Sequence, residues 1–310
     1  MRSWEDEIAG RGPVRPHLRR RCCVGLVTAL VASAVSIAPL AAQQKVPLVL
    51  HHLIVPVDSQ TYNDVLNSPF IRDQFAATQA PWADGVDGGP LIRLFGKYNF
   101  LQMVPAHRTD HVGIVLASER AGGLEALTMQ GQFGPPAEEG AVTTHNPTQG
   151  MPYFELSDRR RPMGKDSTSE RVEFQVLQHT AAAARQQFAT DSLSETNRAN
   201  ARFLASFHDP KKLFSRLTGA TLAIPVDDIA KIVAVLKRDN VHVTAAGEGA
   251  IVKLDGFTLK LVPPWTGAGV KQLQFALTRA AVANPTYRFG PRSQLRFGPG
   301  LIAVWDFELK

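Results

Sequence analysis

Val, Leu and Ile crowd Pro47–Val57 in weak alternation, which predicts a strand, and Asp58 or Ser59 is suited to cap a helix behind it. That helix is expected through Tyr62, Val65 and Leu66, with Pro69 breaking or restarting it before Phe70, Ile71 and Phe75. Leu91–Phe95 and Tyr98–Val104 read as a hairpin around Gly96-Lys97, with room for one short extra strand near Trp82. A second run of the same order follows. Asp110–Ala117 is a strand, a short helix passes through Leu124, Leu127 and Met129, and Met151–Leu156 and Arg171–His179 are strands beyond a long polar loop, Gly131–Gly150. Thr180–Leu217 lacks β patterning and predicts helices, the last through Leu213, Phe214 and Leu217. Thr221–Val226 then reads as strand, and Asp227 is expected to cap a helix with Ile229, Ile232, Val233 and Leu236 on one stripe. Strands are expected at Val241–Ala246, Ala250–Leu254, Phe257–Val262, Val270–Thr278, Gln294–Phe297 and Leu301–Phe307.

The chain echoes itself. His51–Asp58 (HHLIVPVD) and Thr221–Asp228 (TLAIPVDD) share Leu-x-Ile/Val-Pro-Val-Asp, and Phe100–Pro105 (FLQMVP) matches Thr258–Pro263 (TLKLVP) in the same order. Matching ends suggest duplicated modules. Alternation sorts their side chains. Leu53, Val55 and Val57 share a packed face with Leu101 and Met103, and His51 is expected there too. His52, Ile54 and Gln102 take the opposite face, as do His111 and Gly113 in the second run, and Glu173 and Gln175 alternate with Val172, Phe174 and Val176. Thr221 and Lys260 hold the corresponding places in the third run and are expected to line a cavity with Gln175.

The first 42 residues stand apart from this pattern. Arg15, Arg19, Arg20 and Arg21 precede an uncharged run, Cys22–Leu40, that closes on Leu40-Ala41-Ala42. This is the layout of a secretory signal peptide cleaved after Ala42, so export to the periplasm or the extracellular space is expected. Both cysteines lie in that run, and the mature chain would hold no thiol for catalysis, disulfides or zinc. The leader carries six arginines and three acids, which lowers the net charge from +6 to about +3. A balance so near neutral is no nucleic-acid footprint, so neither a nucleic-acid partner nor a membrane after cleavage is expected. Ser192, Ser194 and Glu195 lack a nucleophile elbow, and Gly85, Gly88 and Gly89 lack the lysine-serine of a phosphate loop.

Strand–helix–strand units in pairs, opening on x-His and an aliphatic run, resemble the vicinal oxygen chelate superfamily of glyoxalase, extradiol dioxygenases and bleomycin-resistance proteins. HHLIVPVDSQTYNDVLNSPFIRDQF, RLFGKYNFLQMV and DHVGIVLASERAGGLEAL are similar, more narrowly, to a bacterial glyoxalase-like family of unestablished function. The resemblance implies an α+β fold of repeated βαβββ units, with curved, cup-like mixed sheets and helices on the outer face. It divides the chain into a leader (1–42), a glyoxalase-like domain of two units (44–180), a helical connector (181–216) and a second, partly degenerate domain (217–310). It also implies metal ligands from the first and last strands of each unit. By position these fall on His52, Gln102, His111 and Glu173 or Gln175, with Glu173 the best acid. Gln102 stands where the family has Glu, and Thr221 and Lys260 cannot form such a site.

Two histidines and a carboxylate would suit Zn, Fe, Mn or Ni. Three functions follow as expectations. The first is a protein binding a small organic molecule in its cup. The second is a metal-dependent isomerase, lyase or oxygenase. The third is a non-catalytic envelope scaffold.

Overall fold

The computed structural model describes residues 48–79, 91–107, 111–118, 138–140, 154–159, 172–179, 199–238, 241–265, 267–281 and 285–307. The expected leader, the helix expected through Leu124, Leu127 and Met129, and the first part of the expected connector lie outside these residues.

Pro47–Val57 delivers the strand its pattern predicts, β1 (Leu48–Val57). Asp58 caps α1 (Ser59–Leu66), its carboxylate accepting from the Thr61 N–H at 2.9 Å, and the chain restarts after Pro69 as a π-helical turn over Ile71–Phe75. Strands β2 (Ala77–Gln79), β3 (Ile92–Phe95) and β4 (Phe100–Pro105) complete the first quarter. β5 (Val112–Ser118), β6 (Glu138–Gly140), β7 (Phe154–Arg159) and β8 (Val172–His179) form the second. After α2 (Ala199–Phe207) come β9 (Phe214–Ala223), α3 (Val226–Arg238), β10 (His242–Ala246), β11 (Gly249–Leu254) and β12 (Phe257–Val262). β13 (Gly269–Leu277), β14 (Thr286–Arg288), β15 (Ser293–Phe297) and β16 (Ile302–Phe307) finish the chain.

These strands make two mixed eight-stranded sheets beside few helices, an α+β architecture. The first sheet runs β2-β3-β4-β1-β5-β8-β7-β6, and the second runs β10-β11-β12-β9-β13-β16-β15-β14. Counted from its own first strand, each sheet has the same order. In both, a parallel pair (β1 with β4, β9 with β12) meets an antiparallel centre (β1 with β5, β9 with β13).

Several expectations are corrected here. Leu213, Phe214 and Leu217 do not form a helix. From Phe214 onward the chain is β9, hydrogen-bonded to β13, with the Phe214 ring stacked on Phe75 at 5.6 Å. So short an apolar run fits either period, and partner strands decide it. The polar loop Gly131–Gly150 contains β6. α3 begins at Val226, so Asp227 lies in the first turn. The Pro225 carbonyl accepts from the N–H groups of Asp228 and Ile229, and Val226 is exposed. The sequence echo also slips by two residues. It aligns Leu222 with Leu53 and Leu259 with Leu101, but Leu53 pairs with Leu101 whereas Leu222 pairs with Leu261. A slip of two is a full strand period, so the sorting of faces survives it.

The aliphatic faces of both sheets enter one core, which includes Leu53, Val55, Leu101 and Met103 from the first and Leu222, Leu259, Leu273 and Trp305 from the second. α3 buries Ile229, Ile232 and Leu236 in it, as the stripe predicts. Among the described residues no helix follows β13, and the aromatic face there is met by the first helical segment. Phe75 lies edge-on to Phe275 at 5.5 Å and to Trp305 at 6.3 Å, while Phe70 stacks on Tyr287 at 3.6 Å. Polar contacts lock this junction. The Thr61 hydroxyl lies 3.1 Å from the Phe289 carbonyl, and the Gly290 N–H donates to Asp64 at 2.7 Å. A second lock is the β3–β4 hairpin. The Asn99 amide donates to the Leu217 carbonyl at 3.1 Å and accepts from its N–H at 2.7 Å, as a backbone strand would. Gly96 sits so close that a Cβ there would lie 2.5 Å from the Ser215 carbonyl oxygen, so only glycine fits.

Candidate functional site

The face of the first sheet turned away from the core carries the residues singled out in the sequence. Two rows cross it. Arg93, Gln102, Ile54, Gly113 and Glu173 are register partners from β3 to β8, and Phe95, Phe100, His52, Val115 and Gln175 form the next row. His52 and Gln102 therefore share a face, as alternation predicts. The centre is apolar. Val115, Ala117 and Leu177 are buried together with Val49 and Ile54 against them, and a Cβ on Gly113 would lie 2.9 Å from Ile54 Cδ1.

His51 is not on the packed face. Pairing with β5 shifts register between Leu50 and His52, which makes His51 a bulge residue, and a bulge breaks strict alternation. Both imidazoles consequently meet Phe100. His52 stacks on it at 4.3 Å and 11°, and His51 approaches edge-on at 5.2 Å. Their Nδ1 atoms lie 2.7 Å apart, so one carries a hydrogen and the other accepts it. Burial, and then the Arg93 charge, push the His52 pKa down to about 3 from 6.5. His52 is thus neutral at ordinary pH.

Arg93 was missed in the sequence. It is a half-buried guanidinium on β3 whose Nε donates to Gln102 Oε1 at 3.1 Å, and burial opposes its charge. Its signal was available: Arg93 alternates with Ile92 and Leu94, which are core residues, and so must project from the other side. Farther across, the Gln175 amide donates to Glu173 at 3.0 Å. α2 closes the end of the face beside Phe100. Leu204 is buried with Phe95 and Phe100, and Phe207 stacks on Phe95 at 4.7 Å.

The proposed metal ligands do not converge. His52 pairs with Val115, four residues along β5 from the half-buried His111, or about 13 Å at about 3.4 Å per residue. Among the described residues no three His, Cys, Asp or Glu side chains group as metal ligands. The local chemistry agrees: Gln102 is occupied by a guanidinium, and that positive charge also acts on His52. A divalent cation fits this donor set poorly.

The second sheet presents a different face in the same places. Lys260, Thr221, Gln272, Asp306, Gln294 and Arg288 are register partners across it. Lys253, Thr258, Gly219, Gln274, Val304 and Arg296 form the adjacent row. Thr221 is half-buried and Lys260 is exposed. A hydrogen-bonded ladder links the centre. Gln274 donates to Gln272 at 3.2 Å, Gln272 to Asp306 at 2.9 Å, and Arg296 Nε to Asp306 at 2.9 Å.

No protein-family model matches the sequence, and no curated protein is similar to it. A solved structure of a hypothetical protein from Staphylococcus aureus superposes with a TM-score of 0.43 at 8% identity, covering 72% of this chain and 88% of that one. Among the described residues no helix is long and apolar enough to cross a membrane.

Proposed function

We propose that the chain is an exported glyoxalase-like protein of vicinal oxygen chelate type that binds a small organic molecule on the outer face of the first sheet. The shared strand order supports reading the first sheet as two βαβββ-type units curved into a cup and the second as a partly degenerate copy, since β13 runs antiparallel to β16 where β5 runs parallel to β8. The carrying observation is the stacked His52–Phe100 pair flanked by the Arg93–Gln102 pair. Phe100 backs a half-buried, neutral imidazole, and the amide and guanidinium beside it are placed to orient a ligand's polar atoms.

Native mass spectrometry and metal analysis of the purified protein test it, beside Phe100→Ala and a His52→Ala/His111→Ala double variant. A small organic adduct held by wild type and lost in Phe100→Ala is the expected result. Stoichiometric divalent metal in wild type, lost in the histidine variant, would overturn it in favour of the metal-dependent enzyme.

One observation favours a second reading. Leu204 and Phe207 of α2 fill the end of the face at Phe95 and Phe100, as they would in a scaffold whose cup is closed by its own chain. Absence of any adduct, with stability lost on Phe100→Tyr because Leu204 leaves no room for a hydroxyl, would favour that scaffold.

A further inference from the structure

The second sheet carries a chemistry that the first-sheet site does not explain. Lys253, Lys260, Arg288 and Arg296 are all exposed on its outer face. Asp306 is the one acid among the described strand positions of that face, and Arg296 already holds it at 2.9 Å. Among the described residues no carboxylate pairs with Lys253, Lys260 or Arg288. The cations stand at the two sides of the sheet, Lys253 and Lys260 on β11 and β12 and Arg288 on β14. Between them lie hydroxyls and amides, Thr258, Thr221, Gln272 and Gln294, on a sheet stiffened by the ladder to Asp306. The row from Lys260 to Arg288 crosses five strand intervals, about 24 Å at about 4.8 Å per strand.

The charge is uniformly positive where it is not internally balanced, so the complementary partner is anionic. The strip between the cations discriminates among anionic partners. No Phe, Tyr or Trp stands at the described strand positions of this face to stack nucleobases; the exposed Trp265 lies in the loop after β12. Its apolar positions, Val304 and Ile302 on β16 with Ala276 beside them, sit among charged and amide neighbours and are too few to enter a bilayer. Amides and hydroxyls between spaced cations instead match a polymer that bears hydroxyls along its length and a carboxylate on each ring. We propose that the outer face of the second sheet binds an acidic polysaccharide of the polyuronate class, its carboxylates meeting Lys253, Lys260 and Arg288 and its hydroxyls meeting Gln272, Gln294 and Thr221. This site stands apart from the small-molecule site on the first sheet, and neither depends on the other.

The test is binding of the full chain to oligogalacturonate, followed by titration calorimetry at low and raised salt, with neutral dextran, duplex DNA and phosphatidylglycerol vesicles as competitors. Wild type is expected to bind the oligouronate and not dextran, more weakly as salt rises. Lys260→Glu/Arg288→Glu should weaken binding by about tenfold or more, while Lys211→Glu/Lys237→Glu, with the same change in net charge, should leave it unchanged. Lys260→Gln/Arg288→Gln, checked by its melting curve, serves if charge reversal disturbs folding. The proposal falls if wild type ignores the oligouronate, or if both double variants lose binding equally. It also falls if DNA or the vesicles bind more tightly than the oligouronate and lose that binding in Lys260→Glu/Arg288→Glu.

Discussion

The two sheets share a strand order and differ in what they show to the outside. In the first, the row through β4 and β1 places Phe100 beside His52; in the second, the same positions are Thr258 and Gly219. Phe95 is replaced by Lys253, and Val115 by Gln274. The first face can therefore pack a helix against itself and desolvate its polar groups, which is why His52 is held neutral. The second has only scattered apolar positions, Val304 and Ile302 on β16, and keeps its charges in water. Hydrogen bonding of the backbone sets the architecture, and the outward half of each strand is left to set chemistry.

The largest effect is expected where the two sheets stop being separable. Phe75→Ala removes the ring that meets Phe214, Phe275, Phe297 and Trp305, and should cost about 3–5 kcal/mol in a single denaturation transition. Loss confined to one of two transitions would show that the sheets fold independently. Next is the pH dependence of the first face. His52 has its folded pKa pushed down to about 3 from 6.5, so between those values the unfolded chain binds a proton that the folded chain does not. Stability is lost as pH falls through that window and levels off below it, by up to about 1.4 kcal/mol per pH unit. The measurement is urea stability against pH for wild type and His52→Gln, whose difference should be constant above pH 6.5 and shift against wild type as pH falls below it. Equal slopes would remove the neutral-histidine account.

Asn99→Ala should cost about 1–3 kcal/mol, because it strands both backbone groups of buried Leu217. Asp306→Asn, on the solvated face, is expected to cost about 1 kcal/mol or less, since its partner Arg296 is 53% exposed. A larger loss there would mean that the second face is less open than the first by energy, reversing the comparison.

Much of the scaffold could be read from the chain. The alternation at Leu53, Val55 and Leu101 and the stripe at Ile229, Ile232 and Leu236 each point to a face that is in fact buried. Strong periodicity survives because burial enforces it. What was hidden needed partners. Three-residue strands such as β2 and β14 carry too few residues for a pattern and exist through their neighbours. Phe214–Leu217 is ambiguous until β13 lies beside it. The bulge at His51 is a property of pairing with β5, and it moved a histidine from the core side to the site. The site was half legible. His52 and Gln102 share one face, as alternation predicts, whereas Arg93 beside them carries the same sign of charge as a metal ion and so has no place in a ligand pattern.

The contacts of the first helical segment bear on how the chain folds. Thr61 and Phe289 are 228 residues apart in sequence, and Asp64 and Gly290 are 226 apart. The aromatic face of β13, β15 and β16 has no helix of its own following β13 among the described residues, so it waits for Phe70 and Phe75 from just beyond the first strand. Closure over such separations is slow, since loop entropy is lost before the contacts form. The last quarter of the chain would pass through an interval with Phe275, Phe297 and Trp305 uncovered, a surface open to chaperones and to aggregation. Refolding yield should therefore depend on concentration far more than the finished fold's stability does.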